Sequence, residues 1–394
     1  MAKKSGKRRA RGEGTIRQRK DGTWEAIVSI GADPLTGKLQ RKSFYGKSQG
    51  EVKEKRDNFL MEVKTGTHVD PDKTTFGEWV ARWLDLYVKP KVKMSTYAKY
   101  ITNFRKHILP DLGPIRLQVI STEEIQKFYN TKSETLSSSV IAILHQIING
   151  ALKQAVRQTD SKGKRLILNN PAQYTSRPTV TYKEIPPMTE KEMHKYLESA
   201  KTERLYAAFL LDITSGLRKG ETLAVRWPRI NFDTNILTVS ESLGRIEIEP
   251  GKTALVFSEP KTASGQREVP LLPIVVQELK AYRARQAQEK LKLGSAYNNT
   301  DLVFTNELGQ PVDPRTFLKI HKRIIKRAGL RQELTVHSLR HGFGTMLAKQ
   351  GVNPKYLQIL MGHADIRTTL QTYTHVDIED KKKAVELLQA IISN

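Results

Sequence analysis

The sequence predicts a multidomain fold: a small three-stranded sheet with one helix, an all-α domain, and a mainly α domain with a small antiparallel sheet. The chain has 394 residues, which suggests two to three domains at about 150 residues each. Hydrophobic residues make up 38% of it, enough to build packed cores. Strand-like runs near the N-terminus give way to apolar residues at helical spacing, and strand-like runs return only after residue 235.

The first predicted domain covers residues 1–64 and begins with a basic arm. Three strand-like runs follow at 14–19, 24–30 and 38–45, and the capping box Ser48-x-x-Glu51 starts a helix. Such a basic sheet can lie in a DNA groove, and the alternative is an ordinary solvated sheet face. The residues of this domain that we expect to contact DNA are Arg17, Arg19, Lys20, Arg41 and Lys42.

The second predicted domain covers residues 75–170, after a linker at 65–74. Capping boxes begin helices at Thr75 and Ser121, and two more helices are predicted at 95–109, ending before Pro110, and at 137–158. Four helices with apolar stripes predict an all-α domain. The candidates for DNA contact on its second helix are Lys99, Arg105 and Lys106.

The third predicted domain covers residues 188–379, after a proline-rich linker at 171–187. Thr189-x-x-Glu192 starts its first helix, and an apolar helix at 205–215 ends at Gly216. A turn at 260–265 is expected to join the last two of four strand-like runs as a hairpin. Residues 380–394 form a separate C-terminal helix with an apolar stripe, which packs on its own domain or on a neighbouring protomer. The four strand-like runs are 236–240, 245–249, 254–258 and 267–271.

The charge balance favours a polyanionic partner. Lys and Arg number 66 against 41 Asp and Glu, a formal net charge of +25, which attracts phosphates and releases counterions. The alternative is a merely soluble basic protein. The chain has no cysteine, no apolar run as long as the roughly 20 residues of a membrane span and no secretory signal. We therefore expect a bacterial cytoplasmic, nucleoid-associated protein that makes no membrane contact.

Five short motifs stand in one order along the third domain: SGLRKGE at 215–221, Lys261 in the predicted turn, HSLRH at 337–341, LMGH at 360–363, and Tyr373. Together they resemble the signature of the tyrosine recombinase, or phage integrase, family. The N-terminal domain and the stretch 95–113 are similar to the arm-binding and core-binding domains of integrases from conjugative transposons and temperate phages. The resemblance implies the DNA breaking-rejoining fold for the third domain.

The resemblance also implies a role for each residue. Tyr373 is the nucleophile that forms a 3′-phosphotyrosine, and Arg218 and Arg340 hold the non-bridging phosphate oxygens. Guanidiniums suit that task because they bind oxygens bidentately and stay charged at any working pH. Lys261 is the general acid for the leaving 5′-oxygen, if neighbouring cations lower its pKa.

The remaining assignments concern the residues around these groups. His337 assists proton transfer at the tyrosine oxygen, and His363 binds the phosphate or positions the tyrosine. Glu221 braces the loop that carries Arg218. Tyr356 is a competing tyrosine, but it falls within a predicted amphipathic helix. One departure from the family pattern is that Gly342 and Gly344 follow Arg340, which predicts either a looser helix or close packing there.

The expected function is integration and excision of a mobile DNA element through a Holliday junction. The expected partners are double-stranded DNA with arm-type and core-type sites and a homotetramer on that DNA, and an accessory excision factor fits the same scheme. No cofactor or metal is required, since the phosphotyrosine conserves the phosphodiester bond energy. Two alternatives stay open: a topoisomerase IB-like nicking and resealing enzyme, and a non-catalytic DNA-binding regulator.

Overall fold

The computed structural model describes residues 14–32, 39–65, 73–159, 165–177, 179, 185–249, 251–260 and 265–373. The chain divides into two units between Thr181 and Tyr182. The basic arm before residue 14, Lys261 and the C-terminal helix at 380–394 lie outside the described residues. No helix in the described ranges is long and apolar enough to cross a bilayer. The domain and linker boundaries inferred from the sequence stay predictions.

A three-stranded antiparallel sheet and one helix form the N-terminal part, as predicted. The strands pair in the order β1-β2-β3, and Val52 and Phe59 of the helix are buried. Ser48 caps the helix by accepting a hydrogen bond from the Glu51 N–H at 3.2 Å, while the Glu51 carboxylate accepts from the Lys47 N–H at 2.9 Å. The elements are β1 (Thr15–Gln18), β2 (Trp24–Ala32), β3 (Leu39–Gly46) and α1 (Gln49–Thr65).

The next part is helical, and its helices include two π turns. Its first helix continues into a π turn at Leu84–Val88, and its second continues through a π turn at Phe104–Ile108 into a short final turn. That second helix extends two residues beyond its predicted end, because Pro110 lies in the first turn of α4, where a missing N–H is tolerated. The helices are α2 (Phe76–Trp83), α3 (Met94–Asn103), α4 (Leu109–Asp111), α5 (Thr122–Ser133) and α6 (Ser138–Arg157).

The second unit carries the remaining elements. In chain order they are α7 (Glu190–Ala200), α8 (Tyr206–Ser215), α9 (Lys219–Leu223), β4 (Ile230–Asn231), β5 (Ile236–Val239), β6 (Ser242–Glu249), β7 (Lys252–Ser258), β8 (Arg267–Pro270), α10 (Pro273–Leu293), α11 (Pro314–Arg327), α12 (Val336–Lys349), α13 (Pro354–Met361) and α14 (Ile366–Tyr373).

The strands of this unit form two small sheets. β6 and β7 pair with each other, while β8 pairs with β5 in a sheet of order β4-β5-β8. The prediction that β7 and β8 form a hairpin is therefore wrong. Pairing with β5 brings Val269 opposite Leu237, and both are buried in the core of the unit, which the hairpin arrangement would not provide. β7 thus ends at Ser258 in one sheet, and β8 begins at Arg267 in the other.

Helix α8 lies at the centre of this core. Every residue from Ala207 to Ile213 is buried, as expected for a helix that is packed on all sides. Phe209 stacks on Phe317 of α11 with ring centroids 4.3 Å apart. Packing on all sides fixes the C-terminal end of α8, from which the chain turns into α9.

Candidate active site

The turn between α8 and α9 is built on Gly216. Its φ of 61° lies in the left-handed region, and a Cβ there would come within 2.4 Å of Phe343 Cδ1 and 2.9 Å of Met361 Sδ. Glycine is therefore required both by the backbone conformation and by the close approach of α12 and α13. The turn delivers Arg218 to the N-cap of α9.

Arg218 is half-exposed, and three hydrogen bonds hold it, two from its guanidinium and one from its backbone. Its Nη1 donates to Glu221 Oε1 at 2.7 Å, and its Nη2 donates to the carbonyl oxygen of Gly362 at 3.0 Å. Its backbone N–H donates to Glu221 Oε2 at 3.0 Å. The N-terminal end of a helix carries a partial positive charge, which repels a cation, so the dipole of α9 does not explain the position of Arg218. The Glu221 carboxylate offsets that repulsion and orients the guanidinium.

Arg340 of α12 lies beneath this group and is only 2% exposed. Its Nη1 donates to the carbonyl oxygen of Gly216 at 2.5 Å, and its Nη2 donates to the carbonyl oxygen of Met361. The sequence places Arg340 and Arg218 in one site, and the structure brings both to the same helix end. Arg340 contributes a fixed positive charge from inside the domain.

Arg267 is a third arginine at this helix end, and the sequence analysis missed it. Its Nε donates to the carbonyl oxygen of Leu360 at 2.7 Å, and its Nη2 pairs with Glu221 Oε2 at 2.9 Å. The signal that could have revealed it is alternation: along β8, Arg267 shares the buried phase with Val269. A charged residue in that phase needs a buried partner, which is Glu221.

Three guanidiniums thus bind three successive carbonyls, those of Leu360, Met361 and Gly362, where α13 ends. Such carbonyls have no partner within their own helix and carry the negative end of its dipole. Gly362 has a φ of 60°, which ends the helix and exposes them. The backbone carbonyls of the LMGH motif therefore matter as much as its histidine, because they hold three arginine side chains together at the end of α13.

Glu221 is shared between two of these arginines and is 4% exposed. Burial alone raises the pKa of its carboxyl group, but Arg267 and Arg218 outweigh that effect, so the pKa of Glu221 is lowered overall. Glu221 stays ionised and braces both guanidiniums. This is the supporting position that the sequence predicted for it.

Two candidate histidines stand in the same cluster, and both are neutral at pH 7. The pKa of His337 is lowered to about 4 by desolvation, then by His341 and the arginines, although the residue keeps an exposed surface. Burial and the same arginines lower the pKa of His363 to about 4. His363 Nδ1 lies 2.9 Å from Thr369 Oγ1 of α14. A neutral imidazole can accept a proton or donate a hydrogen bond.

Two further residues of this cluster were missed by sequence reasoning. His341 packs edge-on against His337 with ring centroids 4.5 Å apart. Asp212 of α8 is buried and accepts a hydrogen bond from Thr222 Oγ1 of α9, which ties together the two helices that flank the Arg218 turn. Burial raises the pKa of Asp212 to about 8. In the sequence, Asp212 is a single residue within an otherwise apolar helix. Its burial beside Thr222 is therefore evident only in the fold.

Gly342 is buried against α7, because a Cβ there would lie 2.1 Å from Met193 Cε. Close packing, one of the two outcomes expected for this position, is therefore observed. Gly342 and Gly344 are both buried in α12. The two candidate site residues of the same helix, His337 and Arg340, both precede this contact with α7.

Tyr373 is the last residue of α14 and of the described chain, and its backbone follows Thr369 by one helical turn. Its side chain lies outside the described structure, as does Lys261. The structure thus brings together Arg218, Glu221, Arg340, His337 and His363. The assignments of Tyr373 and Lys261 stay predictions.

The predicted DNA contacts of the N-terminal sheet fall on different faces. Arg17 and Tyr45 flank Glu25 on one face, and the guanidinium of Arg19 lies 5.3 Å from the Tyr45 ring centroid. Exposed Arg41 shares the strand phase of Tyr45. Lys42 points the other way, with its ammonium 4.4 Å from the centroid of Phe59 on α1.

The other predicted DNA contacts are solvent-accessible. Lys20 is exposed in the turn between β1 and β2, and Lys99 is exposed on α3. Arg105 and Lys106 are exposed in the π turn that follows α3. Exposure leaves all four able to meet phosphate, and their roles stay predictions.

Two family models match this sequence. One is described as the phage integrase family and matches residues 186–380, and the other is the phage integrase N-terminal SAM-like domain, at residues 75–133. A tyrosine recombinase XerC-like protein of Caldanaerobacter subterraneus subsp. tengcongensis is 33% identical over 93% of this chain and 95% of its own length.

Solved structures share the fold. An integrase of transposon Tn1549, bound to a circular intermediate DNA, is 21% identical with a TM-score of 0.66, over 80% of this chain and 100% of its own. Lambda integrase, solved as a tetramer bound to a Holliday junction, is 19% identical with a TM-score of 0.54, over 93% of this chain and 96% of its own.

Proposed function

The chain belongs to the phage integrase family of tyrosine recombinases, and we propose that it integrates and excises a mobile DNA element by site-specific recombination. One observation carries the proposal: Arg218 and Arg340 meet at the C-terminal end of α13, beside two neutral histidines. The next helix, α14, ends at Tyr373. A phosphodiester needs this combination of fixed positive charge and neutral proton acceptors. Site-specific cleavage and rejoining of DNA is the activity of the family.

The arginines neutralise the scissile phosphate. Attack on phosphorus adds charge to the non-bridging oxygens, and positioned cations stabilise that charge by several kcal/mol per donor in a site with little water. The half-exposed guanidinium of Arg218 is the group placed to touch the phosphate. Arg340 adds its charge from beneath, where burial strengthens the interaction.

The Tyr373 phenol supplies the attacking oxygen. Its O–P bond forms as the P–O5′ bond breaks, which yields a 3′-phosphotyrosine and a free 5′-hydroxyl. The phenol proton passes to the neutral imidazole of His337, while His363 binds the phosphate or positions the tyrosine. The departing 5′-oxygen takes its proton from Lys261. The reaction runs backward when a 5′-hydroxyl from the partner duplex attacks the phosphotyrosine, so no energy source is consumed.

In this proposal, DNA binding outside the cleavage site is divided between the N-terminal sheet and the helices that follow it, both within the first unit. The outer face of the N-terminal sheet, with Arg17, Arg19 and Arg41, binds arm-type sites through phosphate contacts. Lys99, Arg105 and Lys106 bind the core-type site. Four protomers synapse two duplexes, and an accessory factor favours excision. Activity on chromosomal DNA places the protein in the bacterial cytoplasm, associated with the nucleoid.

The helix at 380–394 is proposed to dock on a neighbouring protomer. It begins seven residues after Tyr373 in the sequence, so its docking would link the position of Tyr373 to assembly. A chain truncated after residue 379 is expected to cleave DNA without cooperativity. Truncated protein that forms recombinants at the full rate and with full cooperativity would contradict docking in trans.

A recombination assay distinguishes this function from its rivals. Two linear duplexes of different length, each carrying the junction sequence of the element that encodes this chain, are incubated with the protein. Recombination produces duplexes of new length. Relaxation of a supercoiled plasmid with the same sequence, without new lengths, would instead favour a topoisomerase IB-like enzyme. Binding without any strand cleavage would favour a DNA-binding regulator.

A further inference from the structure

We infer that Arg267 is a positioning residue for Arg218, acting through Glu221 and through the C-terminal end of α13. The inference rests on the proposed function, because it concerns how the phosphate-binding arginine is held. Arg267 is 7% exposed and thus has no access to DNA phosphate of its own in this structure. Its effect on the reaction must pass through the groups that it touches.

The first connection runs through Glu221. Oε2 of Glu221 accepts from Arg267 Nη2 at 2.9 Å and from the backbone N–H of Arg218 at 3.0 Å. Oε1 of the same carboxylate accepts from Arg218 Nη1 at 2.7 Å. Arg267 thereby fixes the rotation of the carboxylate, and the carboxylate fixes both the backbone and the guanidinium of Arg218.

The second connection runs through the end of α13. Arg267 Nε donates to the carbonyl oxygen of Leu360 at 2.7 Å, two residues before the Gly362 carbonyl that accepts from Arg218 Nη2. Because a helix end moves as one piece, holding Leu360 also holds Gly362. Arg267 therefore determines the position of both groups that orient the Arg218 guanidinium.

Charge balance gives the reason that an arginine is needed. Glu221 is buried, and a buried carboxylate that loses one of two cationic partners is strongly destabilised in its charged form. Without Arg267, the carboxylate would draw the Arg218 guanidinium fully onto itself or take up a proton. Either response would weaken the hold of Arg218 on the phosphate.

The test compares two substrates that differ in the charge of the phosphate. Both are nicked suicide duplexes carrying the element's junction sequence, one with a normal scissile phosphate and one with a methylphosphonate, which lacks the negative charge. Covalent adduct formation is timed for wild type, Arg267→Met and Arg218→Met. Arg204→Met is the matched control, since Arg204 also pairs with a carboxylate, that of Glu289, and with a carbonyl, that of Thr305.

The expected result is selective rescue. Arg267→Met should lose roughly ten- to a hundred-fold in rate on the phosphate, a loss of the size that follows removal of a group that orients a metal ligand. On the methylphosphonate it should come within about three-fold of wild type, since little charge is left to neutralise there. Arg218→Met should show the same pattern with a larger loss. Arg204→Met should match wild type on both substrates.

Three outcomes separate the possibilities. If Arg267→Met loses rate equally on both substrates, the inference is overturned and Arg267 is a purely structural residue. Unchanged rates on both substrates would also overturn the inference. If wild type forms no adduct on either duplex, the proposed function itself fails. Should Arg267→Met not fold, Arg267→Lys replaces it, because one ammonium cannot reproduce the fork that joins Glu221 to Leu360.

Discussion

Arg218 Nη2 lies 3.0 Å from the carbonyl oxygen of Gly362, 144 residues further along the chain. This contact joins two motifs that are short and unremarkable when taken alone. It works because α13 ends at Gly362 in the left-handed conformation, which turns its last carbonyls toward the arginines. The candidate active site is therefore organised around a helix end, where the arginine side chains gather on backbone carbonyl oxygens.

Gly216→Ala is expected to destabilise the protein and to misplace Arg218. The new Cβ would meet Phe343 and Met361 and would sit on a backbone with a φ of 61°, so we expect a loss of about 2–4 kcal/mol in the free energy of unfolding. Urea denaturation measures it. Gly251→Ala is the matched control, because Gly251 has a φ of 75° with no atom near the added Cβ. Equal losses in the two variants would show that close packing at Gly216 has no part.

His363→Gln is expected to reduce the loss of stability in acid. The pKa of His363 is about 4 in the folded protein against an ordinary 6.5, so between these pH values the unfolded chain binds protons that the folded protein does not. The free energy of unfolding therefore falls as pH falls from 6.5 to 4, and a side chain that cannot titrate removes part of that fall.

The measurement is urea denaturation at pH 7.5 and pH 5. The difference between the two should be smaller for His363→Gln than for wild type. His194→Gln, at an exposed position of α7, should leave the difference unchanged. A His363→Gln variant as acid-sensitive as wild type would contradict a neutral, half-buried imidazole at this position.

Asp212→Asn should have the opposite dependence on pH. Burial raises the pKa of Asp212 from 3.8 to about 8, so between these values the folded protein holds a proton that the unfolded chain releases. Wild-type stability therefore falls as pH rises through this range, and the variant should lack that fall. At about 1.4 kcal/mol per pKa unit, the relative gain of the variant from pH 5 to pH 8 is on the order of a few kcal/mol.

Thermal unfolding followed from pH 5 to pH 8 checks this prediction. Asp233→Asn, on an exposed turn after β4, is the control and should track wild type across the range. Parallel curves for wild type and Asp212→Asn would mean that Asp212 is already ionised in the folded protein. In that case Thr222 and the nearby Arg340 would have to stabilise its charge.

Much of this architecture can be predicted from local patterns. Capping boxes at Thr75, Ser121 and Thr189 are all present in the structure, because each depends only on residues within one helical turn. The pairing of β8 with β5 could not be predicted, since the choice between two antiparallel partners depends on core packing. Arg267 was missed for the same reason: its partners Glu221 and Leu360 lie 46 and 93 residues away.

The central claim is that Tyr373 forms the covalent bond to DNA, and trapping that bond tests it most directly. A nicked suicide duplex carrying the element's junction sequence is incubated with wild type, Tyr373→Phe and Tyr356→Phe, and the adducts are digested and mapped by mass spectrometry. We predict a phosphotyrosine at Tyr373 in wild type and in Tyr356→Phe, and DNA binding without adduct in Tyr373→Phe. An adduct on another residue of the wild type, or any adduct in Tyr373→Phe, would contradict the account.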